Sequence, residues 1–206
     1  MKVLIVNGSP HKQGNTFLAL TEVANTLQKE GIESEIVSLG ACPVRSCIAC
    51  GQCKTKGENR CVFDDDICNS VSEKMKDCDA FIVGSPVYYG QPNGGVLSLI
   101  QRLLYSAGSY FAGKPAAGVA VCRRGGATAT LQTLIMPFQM MNMPIVTSQY
   151  WNIVYGRDPG EASLDAEGMQ TMRSLAKNMA HVLKGLNGSP RPEYEARQAM
   201  NFIRIS

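Results

Sequence analysis

The sequence predicts an α/β protein whose core is an open, five-stranded parallel sheet, and three observations predict it. Short apolar segments alternate with helical patterns along the chain. Those segments lack the polar–apolar alternation of half-buried strands, which is what strands covered on both faces show. The turns after the first, third and fourth segments place glycine, serine or proline ahead of a helix, at the edge where α/β sheets bind ligands.

Taken in order, the first strand is expected over Lys2–Val6 and the first helix over Thr16–Glu30, with Phe17, Leu18, Leu20, Val23 and Leu27 on one face. The second strand is Ser34–Ser38. A shorter helix over Asp64–Lys76 follows, and its opening acids complement the positive end of a helix. The remaining strands are Ala80–Ser85, Ala117–Cys122 and Pro144–Ser148, and the remaining helices Gly94–Phe111, Thr128–Met141 and Leu164–Leu186. Right-handed crossovers fit these elements to a flavodoxin-like three-layer sandwich of strand order 2-1-3-4-5, with its ligand crevice between strands 1 and 3. A cysteine-rich insertion, 42–63, and a tail, 188–206, break the alternation; Pro190 and Pro192 in the tail cannot continue a helix. One domain over 1–206 is expected.

Composition excludes several classes. With 45% hydrophobic and 18% charged residues, the chain has enough apolar material for a core and is not a disordered chain. The net charge of +3 comes from scattered basic residues rather than a stripe, so no nucleic-acid partner is expected. No apolar run approaches the ~18 residues of a membrane helix, and the N-terminus lacks a signal-peptide pattern, so no membrane partner and a cytoplasmic protein are expected. Eight cysteines in a reducing compartment argue against a disulfide scaffold, yet five of them fall between residues 42 and 61, which points to metal or redox chemistry.

Three loops are candidates for binding. Asn7-Gly8-Ser9-Pro10-His11-Lys12-Gln13-Gly14-Asn15-Thr16 joins the first strand directly to a helix. Its glycines permit close backbone approach, Ser9, Asn15 and Thr16 supply side-chain donors, and the helix N-terminus adds free N–H groups. A phosphate monoester fits such a loop; the plainer reading is a strand-to-helix turn capped by Asn15 or Thr16. The spacing is neither that of a Walker loop nor Gly-x-Gly-x-x-Gly, so ATP and dinucleotide folds are disfavoured. The third strand ends in Gly84-Ser85-Pro86-Val87-Tyr88-Tyr89-Gly90-Gln91-Pro92, stiffened by prolines and bearing two flat aromatic faces. The fourth ends in Cys122-Arg123-Arg124-Gly125-Gly126, where paired glycines admit a planar ligand and Arg123 or Arg124 offers positive charge.

The segment Gly8–Thr16 resembles the phosphate loop of the NAD(P)H-dependent FMN reductase family, which typically reads Gly-Ser-Pro-Arg-x-x-Gly-Asn-Thr. His11 stands where that family often has arginine, and a neutral imidazole donates only one hydrogen bond. The loop after strand 3 is similar to the family's Ser-Pro-x-Tyr loop, which wraps the flavin ring. The resemblance implies that Ser9, His11, Gly14, Asn15, Thr16, Pro86, Val87, Tyr88, Tyr89, Gly90, Arg123, Gly125 and Gly126 bind FMN, with NAD(P)H as co-substrate.

Cys47-Ile48-Ala49-Cys50-Gly51-Gln52-Cys53 and Cys61 form C-x2-C-x2-C-x7-C. Four thiolates at these spacings suit a [4Fe–4S] cluster; zinc, or free thiols and a redox disulfide, are the other readings. The motif resembles that of iron–sulfur flavoproteins, a branch of the same family, though with a long gap before the fourth cysteine. Cys61–Asp66 stands where the family often has Cys-x-x-x-Asp-Asp-Met, and Asn201-Phe202-Ile203-Arg204 is similar to its ending. Cys42, Cys68 and Cys78 are expected to pack, and Asp64–Asp66 to open a helix. His181 is expected to be structural. Met136, Met140, Met141 and Met143 are expected in the core or at a subunit contact, and Trp151 and Tyr155 beside the crevice or a dimer seam.

The sequence therefore points to an FMN-dependent oxidoreductase that takes electrons from NAD(P)H and passes them to a small acceptor or redox protein, directly or through a [4Fe–4S] cluster. The chemistry would be the flavin's, with no catalytic side chain required. The family implies a homodimer or homotetramer. The alternatives are a quinone, nitro or azo reductase without a cluster, and a non-catalytic flavin electron carrier or redox sensor.

Overall fold

The continuous apolar central strands arise because both of their faces are covered. In the first strand, Val3 and Ile5 belong to one buried cluster and Leu4 and Val6 to another, and all four are fully inaccessible. The two-residue period of the strand persists, but with both faces apolar it leaves no mark on the sequence.

The computed structural model describes residues 1–196, so residues 197–206 of the tail, with the Asn201–Arg204 ending, lie outside the described residues. Its elements are β1 (Lys2–Asn7), α1 (Asn15–Lys29), β2 (Glu33–Ser38), α2 (Gln52–Lys56), α3 (Cys68–Lys76), β3 (Ala80–Tyr88), β4 (Gln91–Pro92), α4 (Gly94–Ala107), β5 (Ala116–Cys122), α5 (Ala127–Met140), β6 (Ile153–Tyr155) and α6 (Ala166–Leu186). The parallel sheet runs β2-β1-β3-β5-β6, which is the expected 2-1-3-4-5 order once the two-residue β4 is set aside. In register, Val6 lies between Val37 of β2 and Val83 of β3. Helices α1 and α6 cover one face; α3, α4 and part of α5 cover the other. Phe81 anchors the second face, meeting Phe111 and Phe138 edge-on at centroid distances of 5.2 and 5.6 Å.

Three expectations are corrected. The edge strand is divided. Pro144–Ser148 makes one bridge, Ile145 to Ala116, and the chain leaves the sheet before returning as β6 beside Ala120–Cys122. Between the two pieces, Ser148 Oγ donates to the Tyr150 carbonyl at 2.6 Å, a local bond that competes with the ladder. Asn152 Nδ2 then donates to the Gly118 carbonyl at 3.0 Å, supplying from a side chain the bond that the missing strand would have made. Second, β3 runs on past Ser85 and turns back as a hairpin, Tyr88 pairing with Gln91. Third, α3 begins at Cys68 rather than Asp64; the acids before it hold the insertion together instead, as described below. Cys42 is exposed rather than packed, and His181 lies on the exposed side of α6. Met143 is in the core, whereas Met136 and Met140 face outward on α5. Among the described residues no helix is long and apolar enough to cross a membrane.

Truncating Phe81 removes the partner of both edge-on pairs and leaves a cavity under β3. Phe81→Ala should lower unfolding stability by about 3–5 kcal/mol, read from urea denaturation at constant slope.

Candidate functional site

The first loop is held from within, leaving its outward donors free. Asn7 is fully buried; its Oδ1 accepts from the Ser9 N–H at 3.2 Å and its Nδ2 donates to Ser38 Oγ at 3.2 Å. Ser9 Oγ accepts from the His11 N–H at 3.1 Å. The loop can turn this tightly because Gly8 has no side chain: a Cβ there would stand 2.7 Å from Val96 Cγ2 of α4 and 2.8 Å from the Gly84 carbonyl. Helix α1 opens behind Gly14, which offers no side chain to cap it, and the first helical bond is Leu18 N–H to Gly14 O at 3.1 Å. The N–H groups of Asn15, Thr16 and Phe17 thus lack helical partners, and the helix dipole makes this end attractive to an anion.

The Asn15 side chain is spent differently from its expected role. Its Nδ2 donates to the Asp158 carbonyl at 2.9 Å, and its Oδ1 accepts from the Gly160 and Ala162 N–H groups at 3.1 and 3.2 Å. Asn15 therefore ties the loop after β6 to the start of α1, which brings Gly156, Arg157 and Pro159 to the cleft wall. Only its backbone N–H remains for a ligand.

The second wall is the β3–β4 hairpin. Its two-residue turn, Tyr89–Gly90, has both residues at positive φ (51° and 78°), the pattern of a type I′ turn. Ser85 Oγ accepts from the Asn93 N–H at 2.9 Å, and Asn93 Oδ1 caps α4 by accepting from Gly95 N–H at 2.8 Å, so the hairpin leads rigidly into α4. Gly126, at φ +87°, lies against this turn; a Cβ on it would meet Gly90 Cα at 2.7 Å.

These loops enclose an open cleft of about 590 Å³ at the carboxyl edge of the sheet. Ser9, His11, Gly14, Asn15, Thr16, Pro86, Val87, Tyr88 and Arg123 line it, joined by Lys12, Gln13, Val121, Cys122 and Arg157, which the sequence did not single out for this role. Tyr89, Gly90, Gly125 and Gly126 do not line it; Tyr89 and Gly90 form the hairpin turn and Gly126 packs against it. Burial pushes the Cys122 thiol above its ordinary value, so it meets the cleft as a neutral group. Among the described residues no carboxylate lines the cleft, whereas Lys12, Arg123 and Arg157 do. One end is thus built for an anion and the middle, at Pro86, Val87, Tyr88 and Val121, for a flat apolar body.

The cysteine insertion makes a second pocket on the α3–α4 side, sharing no lining residue with the cleft. Cys47, Cys50, Cys53 and Cys61 all line it, with Phe63, Tyr105 and the buried Arg102. The chain wraps tightly there, with Ala49 and Gly51 both at positive φ, and the Ala49 N–H points to Cys47 Sγ at 3.4 Å. Buried Asn69 grips the fourth cysteine: its Oδ1 accepts from the Cys61 N–H at 2.9 Å and its Nδ2 donates to the Cys61 carbonyl at 3.0 Å. Among the described residues, no three His, Cys, Asp or Glu side chains converge closely enough for one metal ion; the thiols surround a space instead. Cys68 is buried beside them, and burial pushes its thiol up to about 12, which keeps it protonated.

A family described as NADPH-dependent FMN reductase matches residues 1–158. The chain belongs to this family.

It is accordingly an FMN-dependent oxidoreductase. Its relatives include an iron–sulfur flavoprotein of Methanocaldococcus jannaschii, 35% identical over 192 residues that cover 89% of this chain and 98% of that one. Another, from Methanosarcina thermophila, is 30% identical over 190 residues, covering 89% and 96%. Among solved structures, RosB with bound 8-demethyl-8-formylriboflavin-5'-phosphate superposes with a TM-score of 0.69 at 16% identity, covering 100% of this chain and 94% of that one. FerB, an NAD(P)H:(acceptor) oxidoreductase of Paracoccus denitrificans, gives 0.64 at 15% identity, covering 89% and 97%. At these identities the structures share the fold. The cleft suits FMN by size and by its division into an anion-binding end and an apolar middle.

For this FMN reductase family member, Gly126→Ala should force the Tyr89–Gly90 turn away and shift Val87 and Tyr88 on the cleft wall. Backbone strain of about 1–3 kcal/mol implies FMN binding weakened roughly tenfold to a hundredfold, read by quenching of flavin fluorescence on titration into apoprotein.

Proposed function

We propose that this chain takes electrons from NAD(P)H at FMN in the carboxyl-edge cleft and passes them through a [4Fe–4S] cluster on Cys47, Cys50, Cys53 and Cys61 to a small acceptor or redox protein. The observation that carries the cluster is that all four thiols of the C-x2-C-x2-C-x7-C motif line one pocket. A tetrahedral zinc site draws its sulfurs to about 2.3 Å from one point; among the described residues these thiols are not gathered in that way. The relatives named iron–sulfur flavoproteins support the same reading.

When bound, the flavin accepts a hydride and releases electrons singly or in pairs, and the cluster relays single electrons. The protein's part is to bind and orient. The free N–H groups at α1, with Ser9 and Thr16, hold the phosphate. Pro86, Val87 and Tyr88 set the plane of the ring, and Asn15 fixes the wall opposite. Arg123 and Arg157 stand at the rim, where they meet a phosphate of the nicotinamide donor and stabilise negative charge on the reduced ring. With cleft and pocket lined by different residues, assembly as a homodimer or homotetramer belongs to this reading, and exposed Met136, Met140, Tyr150 and Trp151 supply apolar surface for it.

Anaerobic purification should give a brown protein with about four iron and four sulfide per FMN, bleached by NADH or NADPH. Flavin without iron after reconstitution would remove the cluster; no bleaching by either nucleotide would leave an electron carrier. Cys53→Ala should lose the iron and keep the flavin, read as metal and flavin content of the same sample.

A further inference from the structure

Arg102 is the largest fully buried side chain of the described residues, and it sits on the apolar face of α4 among Leu99, Ile100 and Leu103. A charge is costly there unless it is fully partnered. Every partner it has comes from the cysteine insertion and the acids that follow it. Its Nη1 pairs with the Asp66 carboxylate, which is as buried as the guanidinium itself, and also donates to the Arg45 carbonyl at 3.3 Å. Its Nη2 donates to the Phe63 carbonyl at 3.1 Å, and its Nε donates to Cys61 Sγ at 3.3 Å. The Phe63 ring lies 5.5 Å from the guanidinium carbon.

We propose that Arg102 is a positioning residue for the cluster, aimed by Asp66 so that its Nε–H hydrogen-bonds the Cys61 thiolate and raises the potential at which the cluster accepts an electron. The inference rests on the cluster reading above and adds to it the group that sets the cluster's potential. The arrangement follows the logic of metal sites in which a carboxylate orients a donor that in turn bears on a ligand. A guanidinium is suited to this because its planar fork serves several acceptors at once in fixed directions and keeps its charge at any working pH. The sign is set by electrostatics. One-electron reduction adds negative charge to the cluster and its sulfurs, so a positive N–H donor at one sulfur stabilises the reduced form more than the oxidised form. Asp66 has the opposite influence at longer range while it holds the fork in place. Asn69, by gripping the Cys61 backbone on both sides, keeps the sulfur at the end of that fork.

A merely structural arginine, one that pins the insertion to α4, would leave the potential alone. The test therefore reads the potential. In mediated redox titrations followed by EPR, Arg102→Gln should shift the cluster midpoint to a lower value than wild type, with FMN content unchanged, and Arg102→Lys should fall between the two. A second measurement needs no substitution: protein labelled with 15N-arginine and reduced with dithionite should show a 15N coupling to the cluster in pulsed EPR. An unmoved midpoint in both variants, or no 15N coupling in the labelled wild type, overturns the role of Arg102 while the cluster stands. Wild-type protein that binds no iron after anaerobic reconstitution overturns the cluster reading and this inference together. If Arg102→Gln does not fold, as shown by loss of bound flavin, Arg102→Lys and the 15N coupling decide the matter.

Discussion

A parallel sheet covered on both faces leaves only its ends for chemistry. In this protein both faces are covered, by α1 and α6 on one side and α3, α4 and α5 on the other, so the central strands β1, β3 and β5 are buried and apolar through their middles. The open cleft accordingly lies at the carboxyl edge, where strands release the chain into loops and helices begin with unpaired donors. Two buried polar residues of the central strands follow the same constraint. Asn7 and Ser85 lie where β1 and β3 reach that edge, and both are spent on shaping loops rather than on the core.

The insertion after β2 is a second solution to a different problem. It has no strand or long helix of its own, and α2 is only five residues between two left-handed glycines. Its order comes from polar interactions: Arg60 with Asp64, Arg45 with Asp65, Asn69 across the Cys61 turn, and Arg102 with Asp66. The first two pairs are exposed and screened by solvent, so each contributes little. The last is buried, and such a pair specifies an arrangement more than it adds stability, because its desolvation offsets much of its attraction.

How much of this was legible in the sequence depends on range. The sheet order, the long helices and the loops that border the cleft were readable because each signal is local: an apolar run, a glycine before a helix, a serine and proline after a strand. The split of the edge strand was not, since Pro144–Ser148 reads as a strand and only the Ser148–Tyr150 and Asn152–Gly118 bonds show why it stops. Asn15 was placed near the phosphate, but its side-chain partners lie more than 140 residues away in sequence. Arg102 was missed for a similar reason, although a trace existed: a lone cation within the apolar stripe of Val96, Leu99, Ile100 and Leu103 is a conflict of pattern that asks for a partner.

That conflict ties two distant parts of the chain to one another's history. All of the polar partners of the Arg102 side chain lie between residues 45 and 66, so a lineage that discarded the cysteine segment would be left with a stranded guanidinium facing hydrocarbon. Loss or gain of the segment must then travel with a change in the middle of α4. An engineer who grafts this segment onto a related scaffold has two edits to make, and the second lies on a helix that the cysteines themselves never mention.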